Sequence, residues 1–334
     1  SSYGVPQVVV ATAPQAYREF LRSGVAAPGL LEARYSDGAG RDVRWHNAAA
    51  ILDAAELVVE PLLRTFVATE FGMLDVGLGA RARFTAPLGR GLVSHVGVQV
   101  PLLLTDDFRD GRNFEGTAPE AGLDHLLVQY AHKPAPSWTS LWSLGITRVF
   151  QVQLRTAGVE QLWTSPEGRH RLHAKAMVLD SAISHKVALA GYTWFDSSRR
   201  FSASLTGGQF YAGDSGVRLD ISRYFDDTIA GIFLKVESED NMAGGFQLSL
   251  PLTPRRDAAP RGVQVKGARR WNHSLQTTLN LADGTNALRP LLLYEPVTDF
   301  DLRRDFLDSN RLGPAWLQDQ LPRLREAWLL WGAG

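Results

Sequence analysis

Cysteine is absent from all 334 residues, which excludes disulfides, thiolate metal sites, cysteine nucleophiles and lipidation of an N-terminal Cys on the chain as it stands. A surplus of one charge is also missing. Lys plus Arg total 35 and Asp plus Glu total 35, so no global field steers the protein toward nucleic acid, and no nucleic-acid partner is expected. No apolar stretch approaches the roughly 18 to 20 residues of a spanning helix; the best, Leu62 to Val67 and Pro101 to Leu104, are far shorter. The opening Ser1-Ser2-Tyr3-Gly4-Val5-Pro6-Gln7 lacks a basic segment followed by an apolar core. A signal peptide therefore reads as absent or removed, and the start as a processed or truncated end. The 31 Gly and 17 Pro follow no fixed period, which removes collagen-like and low-complexity readings.

What the chain does contain is apolar and aromatic: 45% hydrophobic residues, with 9 Trp, 8 Tyr and 15 Phe, too rich for a disordered polymer. Residues 1–60 read as a small α/β module facing the periplasm. A strand at Gln7 to Ala11 precedes a helix at Pro14 to Ser23, and extended segments at Leu30 to Tyr35 and Val43 to Trp45 flank the Asp37-Gly38 turn signal. An Ala-rich helix from Asn47 to about Glu60 closes it before Pro61.

Residues 61–296 change to long segments with period-two alternation, the mark of antiparallel sheet. Leu74, Val76, Leu78, Ala80, Ala82 and Phe84 alternate with Asp75, Gly77, Gly79, Arg81 and Arg83. Leu172, Ala174, Ala176 and Val178 alternate with Arg171, His173 and Lys175, while Phe246, Leu248, Leu250 and Leu252 oppose Gln247 and Ser249. The pattern predicts roughly 12 to 14 strands, most near the ten residues that a tilted strand needs to cross a bilayer. Short turns such as Ala212 to Gly216 and Phe225 to Asp227, set against the long Asp106 to Gly122 connection, fit an outer-membrane barrel. A large β-sandwich or lipid-binding barrel is the alternative. Residues 297–334 return to helical spacing and read as two amphipathic helices, with Asp299 as a helix cap and Pro314 in a first turn.

No constellation for catalysis emerges. His170 and His173 lie three apart in a strand and so on opposite faces, which prevents chelation of one metal. Glu70 with Asp75, and Asp106, Asp107 and Asp110, read as solvated turn residues rather than an acid and base. Gly207-Gly208 and Gly244-Gly245 lack the Lys-Ser/Thr of a phosphate loop. No catalytic residue, metal or cofactor is expected, and the chain is not read as an enzyme.

Polar residues accumulate instead on one parity, read as lining a lumen and as candidates for contact with an anionic polymer: Arg81, Arg83, His95, Gln99, Gln151, Gln153, Arg155, Arg171, His173, Lys175, Arg218 and Lys266. A cation on a lipid-facing parity at the bilayer centre would cost roughly 2 to 4 kcal/mol, which places them inward. The other possibility is that they pair with acidic residues and fill the interior. Trp138, Trp142, Trp163, Trp194, Trp316 and Trp328 are read as interface aromatics, or as packing residues in the case of the last two.

The stretch from Phe201 through Asp257, with Thr69-Glu70-Phe71-Gly72 and Ala86-Pro87-Leu88-Gly89-Arg90-Gly91, resembles the YjbH-type exopolysaccharide biosynthesis proteins. The resemblance implies the C-terminal portion of a large outer-membrane β-barrel in Gram-negative cells. Its implied partners are an extracellular polysaccharide of the capsule or biofilm kind, outer-membrane lipid and other polysaccharide-export proteins. Members are commonly longer lipoproteins with a second barrel-like region, so this chain reads as a fragment or one part of a split system. Ala287 to Tyr294 is the expected closing strand. The expectation is thus a transmembrane β-barrel of an exopolysaccharide or capsule secretion system, porin-like in giving passage or a docking scaffold to the polymer. The alternatives are a non-conducting structural barrel for an export complex and a soluble carbohydrate-active β protein.

Overall fold

The computed structural model describes residues 5, 7–36, 55–69, 72–181, 184–238, 241–252, 264–279, 290–296, 301–303 and 311–331. The expected Asp37-Gly38 turn, the Val43 to Trp45 segment, the Asp299 cap and the start of the Asn47 helix lie outside these residues. Two strands, β1 (Val8–Ala11) and β2 (Glu32–Tyr35), flank helix α1 (Pro14–Ser23) and pair antiparallel. Pro14 starts α1 where a missing N–H costs nothing, and Gly24 ends it in the left-handed conformation with its N–H on Phe20 O.

One 14-stranded sheet makes up the rest: β3 (Glu56–Thr69), β4 (Gly72–Gly89), β5 (Leu92–Leu104), β6 (Gly122–Ala135), β7 (Trp138–Val149), β8 (Val152–Thr164), β9 (His170–Asp180), β10 (Ser184–Asp196), β11 (Phe201–Gln209), β12 (Ser215–Phe225), β13 (Thr228–Val236), β14 (Met242–Pro251), β15 (Gln264–Gly267) and β16 (Arg270–Leu279). Helices α2 (Pro314–Asp319) and α3 (Leu321–Trp331) follow. From β3 to β14 each strand pairs antiparallel with the next, and β16 adds to β14. Residues 56–60, expected in a helix, instead begin β3; Val58 and Val59 are β-branched and their backbone pairs with Arg83 and Ala82. Residues 290–293 form a turn rather than a closing strand.

The closed barrel expected from the alternation is corrected here, because the ladder is open. Its order runs β15-β3 at one end and β14-β16 at the other, with no ladder between β3 and β16. The edge of β3 over Glu56–Val59 is taken by the short parallel β15, and Pro61, which has no N–H to give, follows at once. Farther along, Thr65 Oγ1 and His273 Nε2 meet at 2.8 Å, a side-chain contact in place of backbone pairing. The transmembrane barrel, the porin-like passage and the outer-membrane location all rested on a closed wall, and they fall with it. No described helix is long and apolar enough to cross a membrane.

The alternation itself has a definite outcome. On β9, Arg171, His173, Lys175, Met177 and Leu179 are buried on the inner face, while Leu172 and Val178 are 52% and 46% exposed on the outer face. The sheet curls around its polar parity, and described segments outside it pack against that face. Tyr35 and Val8 join Ala131, Leu141, Leu162 and Leu302 in one cluster, and Trp316 joins Phe195, Tyr224 and Ile229 in another. Phe108, Phe114 and Ala118, from the long β5–β6 connection, pack on Phe66 and Leu104.

Candidate functional site

The polar inner face is the candidate site, and its centre is Lys175. Strand register sets Lys175 beside Glu160 of β8 and Leu189 of β10, so its ammonium points into the interior of the curl. Lys175 Nζ lies 3.4 Å from Glu160 Oε1 and 3.2 Å from Glu295 Oε1, and donates to the Pro296 carbonyl at 2.9 Å. Glu160 accepts the Leu302 N–H at 3.1 Å and faces His173 Nε2 at 3.7 Å. Arg303 donates to Glu295 at 2.5 Å and to Thr206 Oγ1 at 3.3 Å. The occupant of the site is therefore the chain's own C-terminal segment.

That segment is held along its course. Near the Phe210–Asp214 turn, Tyr211 N–H donates to Tyr294 O at 3.1 Å, and Leu293 N–H donates to Asp214 at 2.5 Å. Lys235 on β13 donates to Leu292 O at 2.9 Å and to Gln276 at 2.8 Å. At the opposite strand ends, Trp316 packs at a tilt against Phe195 and Tyr224 with ring centroids 6.0 and 5.9 Å away. The described parts of the segment thus meet the inner face at one rim, at its centre and at the other rim.

Electrostatics follow from this pairing. Burial alone would raise the Glu160 carboxyl, but the Lys175 charge, His173 and the Leu302 N–H outweigh it and hold it at about 2. Burial also opposes ionisation of Glu295, yet Arg303 and Lys175 hold it well below the carboxylate range. Lys175 and Arg303 are raised against the pull of burial by the carboxylates they face. All four remain charged at neutral pH, so none is poised to exchange protons with a substrate. Lys235 differs: burial, with the like charge of Arg218, pushes it down to about 7. Among the described residues no three His, Asp or Glu side chains gather in a way that could hold a metal ion.

The other expected polymer contacts are dispersed. Arg81 pairs with Glu60 and, at 3.3 Å, with Asp124; Arg218 forks onto Asp220 and lies over Phe233. Arg83 sits on the inner face of β4 between Val58 and Gly97, and His95 Nδ1 meets Thr85 Oγ1 at 3.1 Å. Gln99 and Gln151 donate to Glu120 O and Glu115 O of the β5–β6 connection, and Lys266 on β15 pairs with Glu56 at 2.6 Å. Gln153 and Arg155 lie on the outward parity of β8 and are exposed, so the structure does not bring them to the inner face. Of the aromatics, Trp138 and Trp142 face outward at 44% and 51% exposure. Trp163 and Trp194 share that face, Trp194 edge-on to Phe201. Trp316 is buried, and Trp328 packs on the α1 cluster of Phe20, Leu21 and Leu30.

Glu160, Glu295 and Arg303 escaped the sequence reading. Glu160 carried a usable signal, being a lone acidic residue on the inward parity of β8 between Thr156 and Thr164. Glu295 and Arg303 follow no periodicity and carried none. No family model matches this chain, and no curated protein matches it in sequence.

Proposed function

We propose that this protein is a non-conducting structural scaffold of a polysaccharide-export assembly, one that docks partner proteins rather than passing the polymer. The observation that carries this reading is the buried ion-pair cluster of Lys175, Glu160, Glu295 and Arg303, which ties the C-terminal segment across the inner face. Lys175, at the centre of that face, and Arg303 neutralise the chain's own carboxylates, so they are spent as ligands for an acidic solute. An interior filled in this way stabilises a curved wall whose rims and loops remain for other proteins. The export context comes from the resemblance of the Phe201 to Asp257 stretch. No catalytic role belongs to this reading.

The test uses the producing cell. Deleting the gene removes polymer secretion and the wild-type chain restores it. Complementation with Leu162→Cys/Leu302→Cys, two positions of one core cluster, fixes the segment in place once oxidised. A scaffold restores secretion in both redox states and still co-purifies with the export proteins. Secretion lost on oxidation and regained on reduction would show that polymer needs the segment to move aside, and the reading would fail.

A further inference from the structure

Arg171 is the one cation of the β9 inner face with no carboxylate in the ion pairs described. It is 3% exposed, and two of its donors, Nε and Nη1, have no hydrogen-bond partner. Its remaining polar contact is Nη2 to the Gly168 carbonyl at 3.3 Å, and the guanidinium lies 5.4 Å over the Phe195 ring. Tyr35 Oη, from β2, makes no hydrogen bond of full geometry either; it stands close to the guanidinium and to Thr164, whose polar influence opposes the upward push of burial on the phenol. Two glycines wall the place. A Cβ at Gly168, whose φ is +77°, would come within 2.6 Å of Tyr35 Oη, and one at Gly313 would lie 3.3 Å from Tyr35 Oη and 3.7 Å from Arg171 Nη2. Buried guanidinium donors without acceptors are costly, and such orphans mark an ion or water that completes them.

We propose that Arg171 and Tyr35 form a buried site for a small monovalent anion, with chloride as the ligand. Nε–H and Nη1–H of Arg171 have no acceptor among the described residues, and with the Tyr35 O–H beside them they offer donors and one positive charge that match a halide. A dianion such as sulfate would leave an uncompensated negative charge between Phe195 and the glycine backbone. The site joins three parts of the chain: β2 through Tyr35, β9 through Arg171 and the start of α2 through Gly313. Anion binding would therefore fasten the N-terminal strands and the C-terminal helices onto the sheet. This inference does not depend on the scaffold reading.

Bromide, which substitutes for chloride and scatters anomalously, is the probe. Crystals of the full chain soaked in sodium bromide should show an anomalous peak within hydrogen-bonding distance of Arg171 and Tyr35. In solution, exchanging sodium gluconate for sodium chloride at constant ionic strength should raise Tm by about 3 °C. Tyr35→Phe, which keeps the ring and loses one donor, should abolish most of that rise. Surface bromide peaks with none at Arg171, or a Tm indifferent to the anion in the wild-type chain, would overturn the proposal.

Discussion

At the scale of single residues, the inner face works as a set of mutual neutralisations, and Lys175 carries the most consequence because two carboxylates depend on it. Lys175→Met removes the shared cation and leaves Glu160 and Glu295 buried with less compensation, a loss of about 3–5 kcal/mol read from the denaturant midpoint. Acid acts on the same groups. Glu160 titrates at about 2 when folded against an ordinary 4.5, so between those values the unfolded chain binds a proton that the folded chain refuses. Stability is fully present above pH 4.5 and drains away as pH falls toward 2, with Glu295 adding in the same direction. Midpoints compared at about pH 6 and about pH 3 should therefore fall steeply in the wild-type chain and much less in Lys175→Met. The alternation showed which side of β9 these cations occupy, since parity is a local property. It could not show their partners, because Glu295 and Arg303 reach them from a segment without period.

At the scale of elements, the strands were the legible part and the C-terminal region the illegible one. Segments such as β9 alternate without a break, and a half-buried strand needs no distant information to be recognised. The start of β3 was misread because the Ala-rich stretch before it favours helix, while pairing with β4 overrides that local preference. α2 was seen as amphipathic, but its docking between Phe195 and Tyr224 depends on the curl of the whole sheet. Trp316→Ala should cost about 3–5 kcal/mol of that docking. The change is expected locally: limited proteolysis should cut within residues 311–331 sooner than in the wild-type chain, while the far-ultraviolet dichroism of the sheet is retained.

At the scale of the whole molecule, closure was the feature that sequence could not supply. Alternation is the same in an open and a closed sheet, and the difference lies in which strand occupies one edge of β3, a long-range choice. The outer face is the counterpart of the filled interior. Leu144, Leu172 and Ile232 are 66%, 52% and 60% exposed, and no layer of the described chain covers them. An apolar face of this extent drives association in water. Light scattering of the purified chain in detergent-free buffer should report oligomers that disperse on adding a non-ionic detergent. The triple variant Leu144→Lys, Leu172→Glu and Ile232→Lys should associate far less, and an unchanged scattering profile would show that the outer face is not the cause.

The parallel pairing of β15 with β3 bears on how the chain is made. Each antiparallel neighbour is available as soon as its hairpin emerges, yet Lys266 meets Glu56 across 210 residues. Synthesis therefore leaves the outer margin of β3 unsatisfied until nearly the last strand appears, and a bare strand margin is a template for wrong partners. Pro61 on β3 blunts that hazard during the wait, because it has no amide hydrogen to offer a stray neighbour. The slowest event in maturation should be this late annealing, with everything between the two segments already in place.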